Sequence, residues 1–127
     1  MRRQFSNKEI LENATFLHKI FLDSSKEIVL PVKANFYLQK NLKLFLELAQ
    51  EIEEAKLEIG ARYGEYQAET ESYMITDSEK LMQAHEELKT LFSLTQMLEL
   101  YTISLEDLED SKLTTAEMNA LLFMIEE

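Results

Sequence analysis

Between Pro31 and Gly60 the apolar residues Leu38, Leu42, Phe45, Leu48, Ala49, Ile52, Ala55 and Ile59 recur at alternating steps of three and four. That spacing holds one stripe on one side of an α-helix, so residues 31 to 60 are predicted to form a single long helix on which the rest of the chain packs. Pro31 suits a first helical turn, and Gly60 or Gly64 is expected to end the helix by taking up left-handed angles. Val32, Leu46 and Leu57 fall off the main stripe. Their flank needs a cover, which is expected from the terminal helices rather than from another molecule.

Three shorter helices follow from capping signals. Ser6-Asn7-Lys8-Glu9 has the Ser-x-x-Glu form in which hydroxyl and carboxylate each satisfy an amide of the first turn. It opens a predicted helix over residues 7–22, with Ile10, Ala14, Leu17 and Phe21 on one face, broadened by Leu11 and Ile20. Thr76-Asp77-Ser78-Glu79 opens a second, to about Phe92, with a stripe of Leu81, Ala84 or His85, Leu88 and Leu91. Thr114-Thr115-Ala116-Glu117 opens a terminal helix carrying Met118, Leu121, Leu122 and Ile125. Asp23-Ser24-Ser25 reads as a loop, and Leu30, preceding a proline, is expected to be extended. Tyr73-Met74-Ile75 and the segment Met97–Ile103 are strand candidates, expected to pair as a small hairpin. The predicted fold class is mainly α (α+β), a single domain over residues 1–127. Its core is Leu17, Phe21, Leu38, Leu42, Phe45, Ile52, Ile59, Leu88, Leu91, Leu121 and Ile125.

Composition narrows the chemistry. The 127 residues include no cysteine, which excludes disulfides, zinc–thiolate centres and a thiol nucleophile. The 46% apolar content argues against disorder, and only two glycines leave no phosphate-cradling loop. No stretch approaches the roughly 18–20 apolar residues of a membrane span. The N-terminal stretch lacks the greasy segment of a signal peptide, because Glu9 and Glu12 interrupt it. The expected setting is therefore soluble and cytoplasmic.

The net charge of −11 is unevenly placed: residues 1–43 carry +4 and residues 44–127 carry −15. So acidic a chain is poorly suited to nucleic acid, whose binding rests on neutralising phosphates with Lys and Arg. A protein partner is expected, and neither a cofactor nor a small-molecule substrate.

Catalytic and metal motifs are missing or broken. His18 and His85 lie on different predicted helices, and neither is the histidine of a Glu-x-x-His pair. Asp107, Glu109 and Asp110 belong to an acidic run, but a calcium loop counted from Asp107 would need glycine and glutamate where Lys112 and Met118 stand. Glu87-Leu88-Lys89 matches a nuclease Glu-x-Lys fragment without the preceding acid on a strand. An enzyme is not expected.

The long helix offers the sharper candidate. At about 100° per residue, Lys33, Lys40, Lys43, Glu47, Glu51, Glu54 and Glu58 share a face opposite the apolar stripe. The face runs from basic to acidic, the reverse of what the helix macrodipole favours. An antiparallel copy would set its lysines against the glutamates, so a two-fold homodimer is one expected partner arrangement. Tyr37, Tyr63, Tyr66, Tyr73 and Tyr101 add amphipathic rings suited to core edges and interfaces alike.

The order and spacing of Leu30-Pro31-Val32-Lys33, Lys40-Asn41-Leu42-Lys43 and Tyr63-Gly64-Glu65 resemble an uncharacterised family of small phage and prophage proteins of Gram-positive bacteria. The likeness extends to Asn7-Lys8-Glu9-Ile10, Glu86-Glu87-Leu88 and the segment from Leu113-Thr114 to Leu121. It implies a protein acting in the cytoplasm of an infected or lysogenic host, or associated with the virion, and it transfers no catalytic residue. The function expected is a non-enzymatic interaction protein, an assembly or accessory factor. The alternative is an acidic inhibitor whose carboxylates imitate phosphate in the cleft of a host defence or nucleic-acid enzyme.

Overall fold

The structure, a computed structural model, describes residues 1–22, 28–109 and 111–126. The predicted loop at Asp23-Ser24-Ser25 and the acidic Asp110 lie outside the described residues. The chain is mostly helical with small antiparallel sheets, in the order β1 (Arg2–Ser6), α1 (Asn7–Phe21), α2 (Val32–Tyr63), β2 (Glu65–Gln67), β3 (Ser72–Met74) and α3 (Ser78–Ser93). There follow β4 (Thr95–Glu99), β5 (Ile103–Ser104), a 3-10 turn (Leu105–Leu108), α4 (Thr115–Leu121), a second 3-10 turn (Leu122–Met124) and β6 (Ile125–Glu126).

The long helix is α2, 32 residues and therefore about 48 Å long. Its stripe of Leu38, Leu42, Phe45, Ile52 and Ile59 is buried, together with Ala34 and Asn41. Phe45, at the centre, is fully buried, its ring edge-on to Phe5 at 5.5 Å and to Phe123 at 5.4 Å. Leu17 and Leu121 are buried as expected, while Phe21, Leu91 and Ile125 pack half-buried at the core's margin. Leu88 departs from the expected core. It is half-buried and lines a groove between α3 and the start of α1. Phe5, Ile10, Leu98, Leu100, Ile103 and Met124 complete the core.

The first and third capping boxes form as read. Ser6 Oγ accepts from the Glu9 amide at 3.1 Å and Glu9 Oε1 from the Ser6 amide at 2.9 Å, with the same exchange between Thr114 and Glu117. The α3 cap is Asp77 rather than Thr76, its carboxylate accepting from the amides of Glu79 and Lys80. The terminal helix is shorter than expected, tightening into the 3-10 turn after Leu121 and then extending as β6.

The expected hairpin is replaced by two other antiparallel pairs. β3 pairs with β2, Tyr66 opposite Tyr73, and β4 pairs with β1, Arg2 opposite Glu99 and Phe5 opposite Gln96. Residues 73–75 and 97–103 do not meet because β3 is taken up by β2 and β4 by β1, the end of α3 sitting beside the start of α1. Asn7 makes that junction: its amide donates to Leu94 O, its Nδ2 to Leu91 O, and its Oδ1 accepts from Gln96 Nε2, each at 2.8 Å. The third pair, β5 with β6, is parallel.

Neither glycine ends α2 by a left-handed turn, since no glycine has positive φ. α2 runs on to Tyr63, and Gly64 caps it in an extended conformation. Space, not handedness, requires the glycine there: a Cβ would lie 2.7 Å from the Met74 carbonyl oxygen and 2.9 Å from Ile75 Cγ1. Gly64→Ala must push β3 away from α2, and is expected to destabilise by about 1–3 kcal/mol, the range of an overpacked site. Thermal melting checks it; an unchanged midpoint would contradict the close approach.

Candidate functional site

The face singled out in the sequence exists on α2. Lys33, Lys40, Lys43, Glu47, Glu51, Glu54 and Glu58 are all exposed, and the buried stripe lies on the opposite side of the same helix. The basic end is partly engaged within the chain. Lys33 Nζ stands 3.2 Å from Asp107 Oδ2 and 5.9 Å from the Tyr37 ring centre, and Lys40 Nζ lies 5.3 Å from that of Phe36. In the acidic half, Glu54 accepts from Gln50 Nε2 at 3.4 Å.

Val32, Leu46 and Leu57 remain exposed, contrary to the expected cover by the terminal helices. Ile10, Ala14 and Leu17 of α1 and Ala120 and Leu121 of α4 are instead committed to the core. Phe36 joins the exposed flank. Its four-residue step from Val32 is the sequence signal that marks it.

Asp107 anchors the start of α2 from the 3-10 turn. Its carboxyl is held below the ordinary aspartate range, first because the Ser104 amide donates to Oδ2 at 2.9 Å, and then because of the Lys33 ammonium. A carboxylate whose folded pKa is depressed adds stability that is present above the unfolded value and is lost as pH falls through the folded one. The turn is therefore expected to loosen only in acid, below the ordinary value of about 4. Hydrogen exchange at the Ser104 amide between about pH 2 and 5 checks this, with Asp107→Asn removing the dependence; uniform protection across that window would refute it.

At the other end, Arg62 of α2 donates to Glu87 Oε1 of α3. Tyr63 faces the same carboxylate, whose hold on its hydroxyl proton raises the phenol above its usual range, with burial adding to the effect. These residues fasten α2 to α3. Lys89 points away from them, into the groove of Ser6, Lys8, His85, Leu88, Phe92 and Ser93, so Glu87 and Lys89 do not act together. Among the described residues no three His, Asp or Glu side chains are placed to hold a metal ion. The tyrosines serve as packing: Tyr37 meets Tyr101 at 5.3 Å between ring centres, and Tyr66 meets Tyr73 at 5.4 Å.

Two buried asparagines escape a reading by apolar periodicity. Asn7 ties α1 to α3 as described, and Asn41 sits in the middle of the α2 core face. Asn41 Nδ2 donates to Tyr101 O at 2.8 Å while its Oδ1 accepts from the Tyr101 amide at 2.9 Å. That pair pins the bend between β4 and β5 against α2. No described helix is long and apolar enough to cross a membrane. Compared with known proteins, the chain matches no family model, no curated sequence and no solved structure.

Proposed function

We propose that the chain is a non-enzymatic interaction protein of a phage or prophage, an assembly or accessory factor that works by protein–protein contact through the outward face of α2. The observation that carries this reading is the alignment of exposed Val32, Phe36, Leu46 and Leu57 beside seven exposed charges along one 32-residue helix. Scattered exposed apolar side chains are ordinary on a protein surface; four of them on one side of one helix support reading that side as a surface that meets another molecule. The phage setting rests on the family resemblance alone.

A second reading is favoured by the acidic half of the same face. Glu47, Glu51, Glu54 and Glu58 are exposed at steps of four and three, which spaces their backbones about 4.5–6 Å apart along the axis. A row of charges at that interval could occupy a basic cleft that normally takes phosphates.

Affinity capture of the tagged protein from phage-infected lysate, at low and moderate salt, tests both. The first reading expects phage or host proteins that persist in salt and are lost on Leu46→Asp with Leu57→Asp. The second expects a basic host enzyme held only at low salt, lost on reversal of Glu47, Glu51, Glu54 and Glu58 to Lys. Specific capture that none of these substitutions alters would refute both.

A further inference from the structure

The exposed side of α2 carries a row of positions with the spacing of a coiled-coil seam. Val32, Phe36, Leu46 and Leu57 are 88%, 56%, 36% and 50% exposed, too open for groups that the chain's own core has claimed. Positions 32, 36, 39, 43, 46, 50, 53 and 57 alternate steps of four and three, the repeat that keeps one side of a helix turned toward a partner helix. The intervening Gln39, Lys43, Gln50 and Glu53 are exposed as well, so the seam is open along its length.

Beside it runs a second row at strict seven-residue intervals: Lys33, Lys40, Glu47 and Glu54. The row reads basic, basic, acidic, acidic. Such an order is its own complement when the helix is inverted. A second α2 laid antiparallel, with its two-fold axis between residues 43 and 46, sets Lys33 against Glu54 of the second copy and Lys40 against its Glu47. Symmetry repeats both pairs. The same alignment places Val32 near Leu57 of the second copy at each end, and Lys43, whose stem is apolar, beside its Leu46 at the centre. A parallel copy in register would set the basic half against the basic half and the acidic against the acidic.

We propose that this seam docks a second copy of the chain, two α2 helices pairing antiparallel about a two-fold axis. This rests on the reading of the face as an interaction surface and names its partner. It also accounts for an order of charges that opposes the helix macrodipole, because each lysine near a helix start then meets a glutamate near the other helix end. The bond from Lys33 to Asp107 does not bar the contact. Asp107 keeps the Ser104 amide at 2.9 Å and the Ser104 hydroxyl at 3.2 Å when the ammonium turns outward. Half of the seam positions are polar, so the dimer is reversible and depends on concentration and salt.

Sedimentation velocity of the full chain over a concentration series, at low salt and at high salt, tests the proposal. The wild type is expected to dimerise at low salt and to weaken as salt rises. Lys33→Glu with Lys40→Glu makes all four flanking pairs acidic, and Glu47→Lys with Glu54→Lys makes them all basic. Each double variant should self-associate at least about tenfold more weakly at low salt. Mixed one to one, the two should form a heterodimer tighter than either alone, because every flanking pair is then opposite in sign. All four substitutions are on the surface, and equal helical circular dichroism verifies the fold.

A wild type that stays monomeric to about millimolar concentration at low salt would overturn the pairing, as would double variants that dimerise like the wild type or a mixture that gains nothing. A monomer that still captures a phage or host protein through Leu46 and Leu57 refutes only the second copy as partner and leaves the interaction surface standing.

Discussion

Phe45→Ala is expected to lower the stability of this protein by about 3–5 kcal/mol, the largest effect of any single truncation in the core. The ring is fully buried at the midpoint of α2 and meets Phe5 from β1 on one side and Phe123 from the second 3-10 turn on the other. Three segments far apart in the chain thus converge on one side chain. Removing it leaves a cavity that Ala34, Leu38 and Leu42, being fixed on the same helix, cannot move to fill. For a chain of this length the loss corresponds to a fall of roughly 10–20 °C in the melting midpoint. It would take much of the 5–15 kcal/mol that such proteins usually possess. Melting followed by circular dichroism decides it; a midpoint within a few degrees of the wild type would show that the ring is not the centre of the core.

The second large effect is expected at Asn41. Asn41→Leu keeps the branched outline of the side chain but removes both the donor to Tyr101 O and the acceptor for the Tyr101 amide, two bonds of 2.8 and 2.9 Å in a part-buried setting. The side chain itself is buried, so no water replaces it directly. A backbone group left without a partner costs about 1–3 kcal/mol, and here two are left, giving an expected loss of about 2–4 kcal/mol despite the added hydrophobic surface. The local signature is distinctive. Hydrogen exchange at the Tyr101 amide should accelerate more than at amides of the α2 core, because the bend between β4 and β5 is released before the helix is. Equal stability, or unaltered exchange at Tyr101, would mean that the asparagine is not what holds the bend.

Both residues show how legible the chain is. Phe45 is found from periodicity, because it lies on the stripe from Leu38 to Ile59. Asn41 is not, because a polar residue on an apolar face reads as an interruption until its partner is known, and that partner is sixty positions away. Leu88 illustrates the opposite failure. It falls on the expected stripe of α3, yet only Ala84 of that helix is fully buried, because α3 packs at the margin of the molecule. The strands were the least legible element. β1, Arg2–Ser6, has one buried apolar residue in five, and its partner β4 begins almost ninety residues later.

The candidate surface was half visible. The seven charges at Lys33, Lys40, Lys43, Glu47, Glu51, Glu54 and Glu58 follow from 100° steps around a helix, and each is exposed. Whether Val32, Leu46 and Leu57 were covered by the chain's own terminal helices could not be read from their spacing, since both outcomes satisfy the same pattern. The packing leaves them open, and with Phe36 they form an exposed apolar row beside the charges.

By itself the sequence determined the helices, their caps at Ser6 and Thr114, the buried stripe of α2 and the charged face opposite it. Each of these depends on residues within a few positions of one another, where backbone geometry sets who meets whom. The strand pairings, the place of α3, the partners of the two buried asparagines, the need for a bare Cα at Gly64 and the apolar groups left in water emerge only once the chain is packed. Those outcomes depend on contacts between distant segments, and nothing in local spacing specifies them until the chain has closed around Phe45.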